Sequence, residues 1–317
     1  MGGLTDIAGV SVGHASDYDG LTGCTVILCE GGAVGGADIR GSATGTEEFD
    51  LMSPLNATDR LNAVTLAGGS AFGLEAASGV RRYLEHKGVG FDAGVARVPL
   101  VPCAILFDLA IGKAHARPTR EMGEAAAAAA TNKPVAEGAV GAGTGATVGK
   151  MFGMARAMKS GIGSATVALG NGVMVSGLAA VNAVGDVIDP STGKIVAGAR
   201  VSASSREFVN SAQAMKERAR PGSRRSNTTL VVVATTAKLD KAMATKLAQL
   251  ASIGVARTIS PVWTTYDGDV VIALSMGSAE ADINALGVAA ADAVSQSILR
   301  AVRLAPSLGG VPGLKTE

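Results

Sequence analysis

The chain changes character abruptly at residue 228. Residues 205–227 are polar and basic, carrying Lys216, Arg218, Arg220, Pro221, Gly222, Arg224 and Arg225, and they run directly into TTLVVVATTA at 228–237. A run this apolar and β-branched reads as a buried strand, so a solvated linker meets the inside of a core. A buried strand needs partners, and strand-rich segments stand on both sides of the linker. Neither set would be complete alone. The expectation is one cooperative domain over 1–317, assembled from the pieces 1–227 and 228–317.

The rest of the chain supplies the other layers. Short β-like runs alternate with glycine clusters in the first hundred residues, as in TGCTVILC at 22–29 and NAVTLAGGSAFG at 62–73. The next segment places Leu74, Ala77 and Val80 at helical spacing, with Ser70 available as N-cap and Gly88 as a stop. A second helix is expected from Thr119 to Ala130, where Pro118 suits the first turn and Glu121 and Glu124 suit its positive end. Hairpin signals stand at Asn171-Gly172 and across DPSTGK at 189–194. Further helices are expected at about 238–252, closed by Gly254, and at about 279–303, with strands between them. The uncharged stretch from Ser164 to Gly185 is long enough to raise the question of a membrane span. It contains Asn171, Asn182 and several glycines, however, and reads better as a buried hairpin.

Composition narrows the function. Lys+Arg 28 against Asp+Glu 27 leaves a net charge of +1, which advertises neither a nucleic-acid nor an anionic membrane partner. A small, roughly neutral substrate fits better. Only 3% of residues are aromatic while 43 are glycine, which points to close backbone approaches and Ala-lined packing. Cys24, Cys29 and Cys103 form no CxxC pair and stand in no ligand spacing with a histidine; they read as buried thiols, and neither metal nor cofactor is expected. The N-terminus has no basic region followed by an apolar one, so a cytoplasmic location is expected.

Familiar catalytic motifs fail when tested residue by residue. In GATVGK at 145–150 a P-loop would need Gly at 144 and Ser or Thr at 151, where Thr144 and Met151 stand. Gly141, Gly143 and Ala146 fit a relaxed dinucleotide fingerprint, but the nearest acid, Asp186, is about twice too far along. No serine elbow exists, because Ser70 is followed two places later by Phe72, and His14, His86 and His115 stand in no informative context. An amide hydrolase without histidine needs another base, and a chain can create one by exposing a new α-amine, with an ordinary pKa of about 7.7–8.0. Asn227-Thr228 suits such a cut, since a rigid strand holds one side and a linker leaves on the other. The same residues also read as a turn that ends at Asn227, followed by an ordinary strand beginning with Thr228 and Thr229.

Six ordered blocks then set the chain in a wider context. They are GLTDIAGVSVGH at 3–14, GSATGTEEFDLM at 41–52, LAGGSAFGLEAASGV at 66–80, VPLVPCAILFDL at 98–109, EGAVGAGTGATVGK at 137–150 and NTTLVVVAT at 227–235. In these the chain resembles the DmpA-type P1 (S58) peptidases, which include β-peptidyl aminopeptidases, L-aminopeptidase/D-esterases and nylon-oligomer hydrolases. The threonine followed by DGD is similar to the nylon-oligomer hydrolase branch. The resemblance implies an α/β (α+β) fold, an αββα sandwich of the DmpA and ornithine-acetyltransferase type with an N-terminal-nucleophile character. It also implies autocleavage between Asn227 and Thr228 into α (1–227) and β (228–317) chains.

Carried onto matching positions, the resemblance makes Thr228 the nucleophile. Lys150 becomes a nearby cation that favours the alkoxide and the oxyanion, and Asn182 an oxyanion donor. Asp267 and Asp269 become an acidic pair that orients the Thr228 hydroxyl and amine. Lys150 also reads as a solvated strand end and Asp267-Gly268 as a two-residue hairpin turn, which leaves Asp269 as the stronger of the two acids. Trp263 and Thr264 depart from the family pattern. The implied activity is hydrolysis of small peptides or linear amides, including ω-amino-acid oligomers, by a homo-oligomer of four chains or a multiple. An acyltransferase on the same fold and an uncleaved scaffold protein are the competing readings.

Overall fold

The computed structural model describes residues 2–218 and 227–316, so Arg220, Pro221, Gly222, Arg224 and Arg225 of the basic stretch lie outside the described residues. The apolar run forms the strand Thr228–Ala237. Met174–Asn182 pairs with it antiparallel on one side and Val270–Ala279 parallel on the other. Successive side chains of a strand point to opposite faces. Leu230, Val232 and Ala234 accordingly enter one core and Val231 and Val233 another, which is why the run shows no polar alternation.

Among the described residues nine strands form one connected sheet. It runs from Ile162–Ala168 through Met174–Asn182, Thr228–Ala237 and Val270–Ala279 to the long strand Thr22–Ile39, and on through Leu61–Ala67 and Cys103–Ile105 to Thr46–Glu47. Ser11–Asp17 pairs alongside Thr22–Ile39. That 18-residue strand belongs to both halves: residues 34–39 pair with Val270–Ser275, while 22–28 pair with Ser11–Asp17 and 24–28 with Ala63–Ala67. Its register breaks between Leu28 and Ala33, where Gly32 takes a left-handed φ of 84°. Beyond the break the halves lie face to face. Ile27, Val64 and Leu66 from one pack against Leu178, Leu230, Val232 and Ile272 from the other.

Helices cover the outer faces. Lys241–Thr258 and Ile283–Arg303 lie over the half that holds Thr228, through Leu247, Ala248, Val294 and Ile298. Glu75–His86 and Arg120–Ala128 lie over the other, through Ala76, Val80, Ala126 and Ala127. The order of layers is helix, sheet, sheet, helix, the expected αββα sandwich. Ile283–Arg303 is long and apolar enough to cross a membrane, but it packs as a core helix against the sheet.

Several local expectations are corrected. Ser70 is not an N-cap: it opens the 3-10 turn Ser70–Leu74 at a φ of 55°, and the α-helix begins at Glu75 without a side-chain cap. Gly254 does not close its helix, which runs on to Thr258; a Cβ there would stand 2.3 Å from the carbonyl of Ala291, so the glycine lets two helices touch. The stretch after 205 is not uniformly solvated. It contains the helix Ser211–Arg218, whose buried Ser211 donates its N–H and its hydroxyl to Asp186, each at 2.7 Å. The hairpins at Asn171-Gly172 and at 189–194 form as expected. The three cysteines are buried free thiols, and burial pushes Cys24 and Cys29 up to about 12.

Candidate active site

Thr228 opens the central strand, and its neighbours arrive from several elements. Asn182, the last residue of Met174–Asn182, pairs with it across the sheet. The chain entering Val270–Ala279 brings Asp267 alongside Asn227 in a parallel bridge, with Asp269 next to the strand. Lys150 begins the 3-10 turn Lys150–Phe152 and reaches Asn182. All six residues singled out in the sequence are thus assembled in one place, and none is more than 6% exposed.

The peptide carbonyl between Asn227 and Thr228 is held from two sides. Thr228 Oγ1 donates to Asn227 O at 2.5 Å, and the Gly268 N–H donates to the same oxygen at 2.7 Å. The Asn227 N–H donates to Tyr266 O at 2.9 Å. Gly268 fits because it lacks a side chain: a Cβ would stand 2.6 Å from Ala43 O and 2.9 Å from Thr228 Oγ1.

Lys150 is a buried amine that opens a 3-10 turn, not a solvated strand end. Its Nζ donates to Asn182 O at 2.8 Å and to Asn182 Oδ1 at 2.7 Å. Burial lowers it to about 7, against the opposing pull of Asp267, Asp108 and Asp269. Asn182 Oδ1 also accepts from the Thr147 N–H at 3.1 Å, while Asn182 Nδ2 donates to Phe107 O at 2.7 Å. The amide that the resemblance makes an oxyanion donor therefore already spends one N–H on a backbone carbonyl.

The acidic pair is placed differently from the expectation. Asp267 Oδ2 accepts from the Thr264 N–H at 3.0 Å and from its hydroxyl at 2.6 Å. Asp269 Oδ1 accepts from the Thr229 N–H at 2.5 Å, one residue beyond Thr228. Neither carboxylate touches the Thr228 hydroxyl, which points to Asn227 O. Nor is Asp267-Gly268 a hairpin turn, for the turn closes earlier, from the Asp267 N–H to Thr264 O, and Gly268 has no positive φ. Burial raises both carboxyls, and the negative charge of Asp267 raises Asp269 further.

A cavity of about 940 Å³ opens beside these groups, lined by Phe107, Asp108, Ile111, Lys150, Met154 and Tyr266, with Asn227 in its wall. Asp108, Tyr266, the Gly268 N–H and a second buried lysine, Lys159, were not singled out in the sequence. An acid inside the apolar run VPLVPCAILFDL was the available signal for Asp108. No side-chain pattern announces a backbone N–H. His14 is elsewhere, half-buried with its Nδ1 2.9 Å from Thr25 Oγ1, and desolvation lowers it to about 4.

The profile of peptidase family S58 matches residues 3–316. An uncharacterized aminopeptidase of Mycobacterium leprae is 39% identical to the chain, covering 98% of it and 93% of the relative. A 6-aminohexanoate-oligomer endohydrolase of Kocuria sp. is 29% identical over 94% of the chain and 85% of its own length. Among solved structures, the L-aminopeptidase D-Ala-esterase/amidase of Ochrobactrum anthropi, described as a variant of the Ntn hydrolase fold, superposes with a TM-score of 0.72 at 20% identity, covering 98% of this chain and 88% of that one. A Burkholderia sp. β-aminopeptidase superposes at 0.68 and 24% identity, over 99% and 90% of the two chains. The fold is therefore that of the Ntn-hydrolase aminopeptidases, and with a family profile spanning nearly every residue the chain belongs to peptidase family S58.

Proposed function

We propose that the chain cuts itself between Asn227 and Thr228 and then hydrolyses small peptides or linear amides with Thr228 as an N-terminal nucleophile. The observation that carries this is the carbonyl of Asn227, which has the Thr228 hydroxyl at 2.5 Å and the Gly268 N–H at 2.7 Å on one buried oxygen. Thr228 Oγ attacks the Asn227 carbonyl carbon while neutral Lys150 takes the hydroxyl proton, and Gly268 N–H holds the oxygen as it becomes negative. The C–N bond breaks, its nitrogen receives the proton, and an ester remains. Water then releases Asn227 as a carboxylic acid and Thr228 with a free hydroxyl and α-amine.

In turnover the new amine replaces Lys150 as base. It takes the Thr228 hydroxyl proton as Oγ attacks the substrate carbonyl, and passes it to the departing amine; water hydrolyses the acyl ester. Lys150, protonated at this stage, and the second N–H of Asn182 face the developing oxyanion. The apolar walls from Phe107, Ile111 and Met154 suit an aliphatic acyl chain, in keeping with the oligomer endohydrolase among the relatives.

Intact-mass spectrometry of the purified chain tests the first step, with pieces of about 22 and about 9 kDa expected in proportion to chain length. N-terminal sequencing of the smaller piece should begin at Thr228, and Thr228→Ala should stay whole and inactive. Amide hydrolysis by an uncut chain would sink the proposal. Adding ornithine to an aminoacyl-anilide assay separates water from an amine acceptor, since acyl transfer would appear as acyl-ornithine.

A further inference from the structure

Lys159 is fully buried, and its Nζ donates to three backbone carbonyls: Gly143 O at 3.0 Å, Ala146 O at 2.8 Å and Ser160 O at 2.6 Å. Three donors meet three acceptors, with no carboxylate among them. The backbone around it is tied as well. Lys159 N–H donates to Pro312 O at 2.8 Å, Ser160 N–H donates to Ala146 O at 3.0 Å, and Thr147 pairs with Lys159 across a short ladder. One residue beyond Ala146, the Thr147 N–H donates to Asn182 Oδ1, and Lys150 Nζ reaches the same oxygen.

We propose that Lys159 is a positioning residue, whose ammonium clamps the 143–147 segment so that Thr147 and Lys150 converge on Asn182, and whose charge, when it is protonated, acts on Lys150. This rests on the reading of Asn227-Thr228 as the reaction centre. A neutral amine would turn its lone pair toward one of the three carbonyls, so the seat favours the ammonium against burial, which lowers it to about 7. Asp108 is the carboxylate whose charge favours both lysines; Lys150 opposes Lys159, and Asp267 and Asp269 act on Lys150. Removing the Lys159 charge leaves Lys150 holding its proton to higher pH.

The test uses the processed enzyme and an aminoacyl-anilide, with active chains counted by the amount of N-terminal Thr228. Lys159→Met and Lys159→Gln should each lower kcat by about tenfold or more with KM little changed. Each should also shift the pH midpoint of activity assigned to Lys150 by about half a unit or more. Unchanged kcat and midpoint per processed chain, with only fewer folded chains, would overturn the proposal. Failure of both variants to fold while Lys150→Met folds would overturn it too, because Lys159 would then serve folding alone. If the unsubstituted chain shows no cut at Asn227-Thr228, the underlying reading fails before any variant is compared.

Discussion

Lys150 grips Asn182 twice, at 2.8 Å on its backbone carbonyl and at 2.7 Å on its side-chain oxygen, directly across the sheet from Thr228. A lysine held this way, and lowered to about 7 by burial, divides between ammonium and amine near neutrality. The amine is the form that accepts the Thr228 proton, so self-cleavage should slow as pH falls through about 7. Chain made by cell-free synthesis at low pH and then shifted across pH 5.5–9 checks this through the rate at which the small piece appears. A rate flat over that range contradicts it.

The same shift has a stability consequence of opposite origin. The folded value lies below the unfolded one of about 10.5, so between them the unfolded chain binds a proton that the folded chain does not. Stability from this group therefore rises with pH from about 7 to about 10.5. In the uncut Thr228→Ala background, Lys150→Met removes the dependence: the Tm of the variant minus that of its parent should fall as pH rises through that window. Parallel Tm curves would show that Lys150 keeps an ordinary pKa in the fold.

Gly268 offers a steric test of the carbonyl cradle. A methyl group there meets Ala43 O at 2.6 Å and Thr228 Oγ1 at 2.9 Å, so Gly268→Ala must displace the loop or the hydroxyl. A loss of one oxyanion donor costs about 10²–10³ in rate, and misplacement of the nucleophile adds to it. The variant should accumulate as uncut chain with unchanged secondary structure by circular dichroism. Normal processing would remove Gly268 from the mechanism.

How much of this is legible in the sequence depends on what each residue does. The strand at 228 was readable because burial on both faces leaves an uninterrupted apolar run. The junction at Asn227 was readable only as a boundary, since a strand start and a cleavage point share one residue pattern. Asp267 was the harder case: Asp-Gly marks hairpins so strongly that the parallel bridge to Asn227 was invisible, and it depends on a partner forty residues away. Ser70 and Gly254 misled for a related reason. Local capping rules describe isolated helix ends, whereas Gly254 answers to the carbonyl of Ala291 on another helix. Lys159 gave no signal, because its partners are backbone carbonyls.

Asp269 separates charge from hydrogen bonding. Burial and the charge of Asp267 raise its carboxyl, so over a window above the usual carboxylate range the folded chain holds a proton that the unfolded chain has released. By linkage, stability from this group is present at low pH and is lost as pH rises through that window. Asparagine keeps an oxygen for the Thr229 N–H, 2.5 Å away in the parent, and never ionises. In the Thr228→Ala background, Asp269→Asn should therefore gain stability relative to its parent as pH climbs from about 4 toward neutrality, measured by urea midpoints at several pH values. In the cleavable chain the same substitution should slow turnover only as pH rises through about 8, where the parent carboxyl ionises and the new α-amine of the variant lacks that anionic neighbour. An Asp269→Asn enzyme that is as active as its parent, with a pH-independent stability difference, would leave the carboxylate with a structural task only.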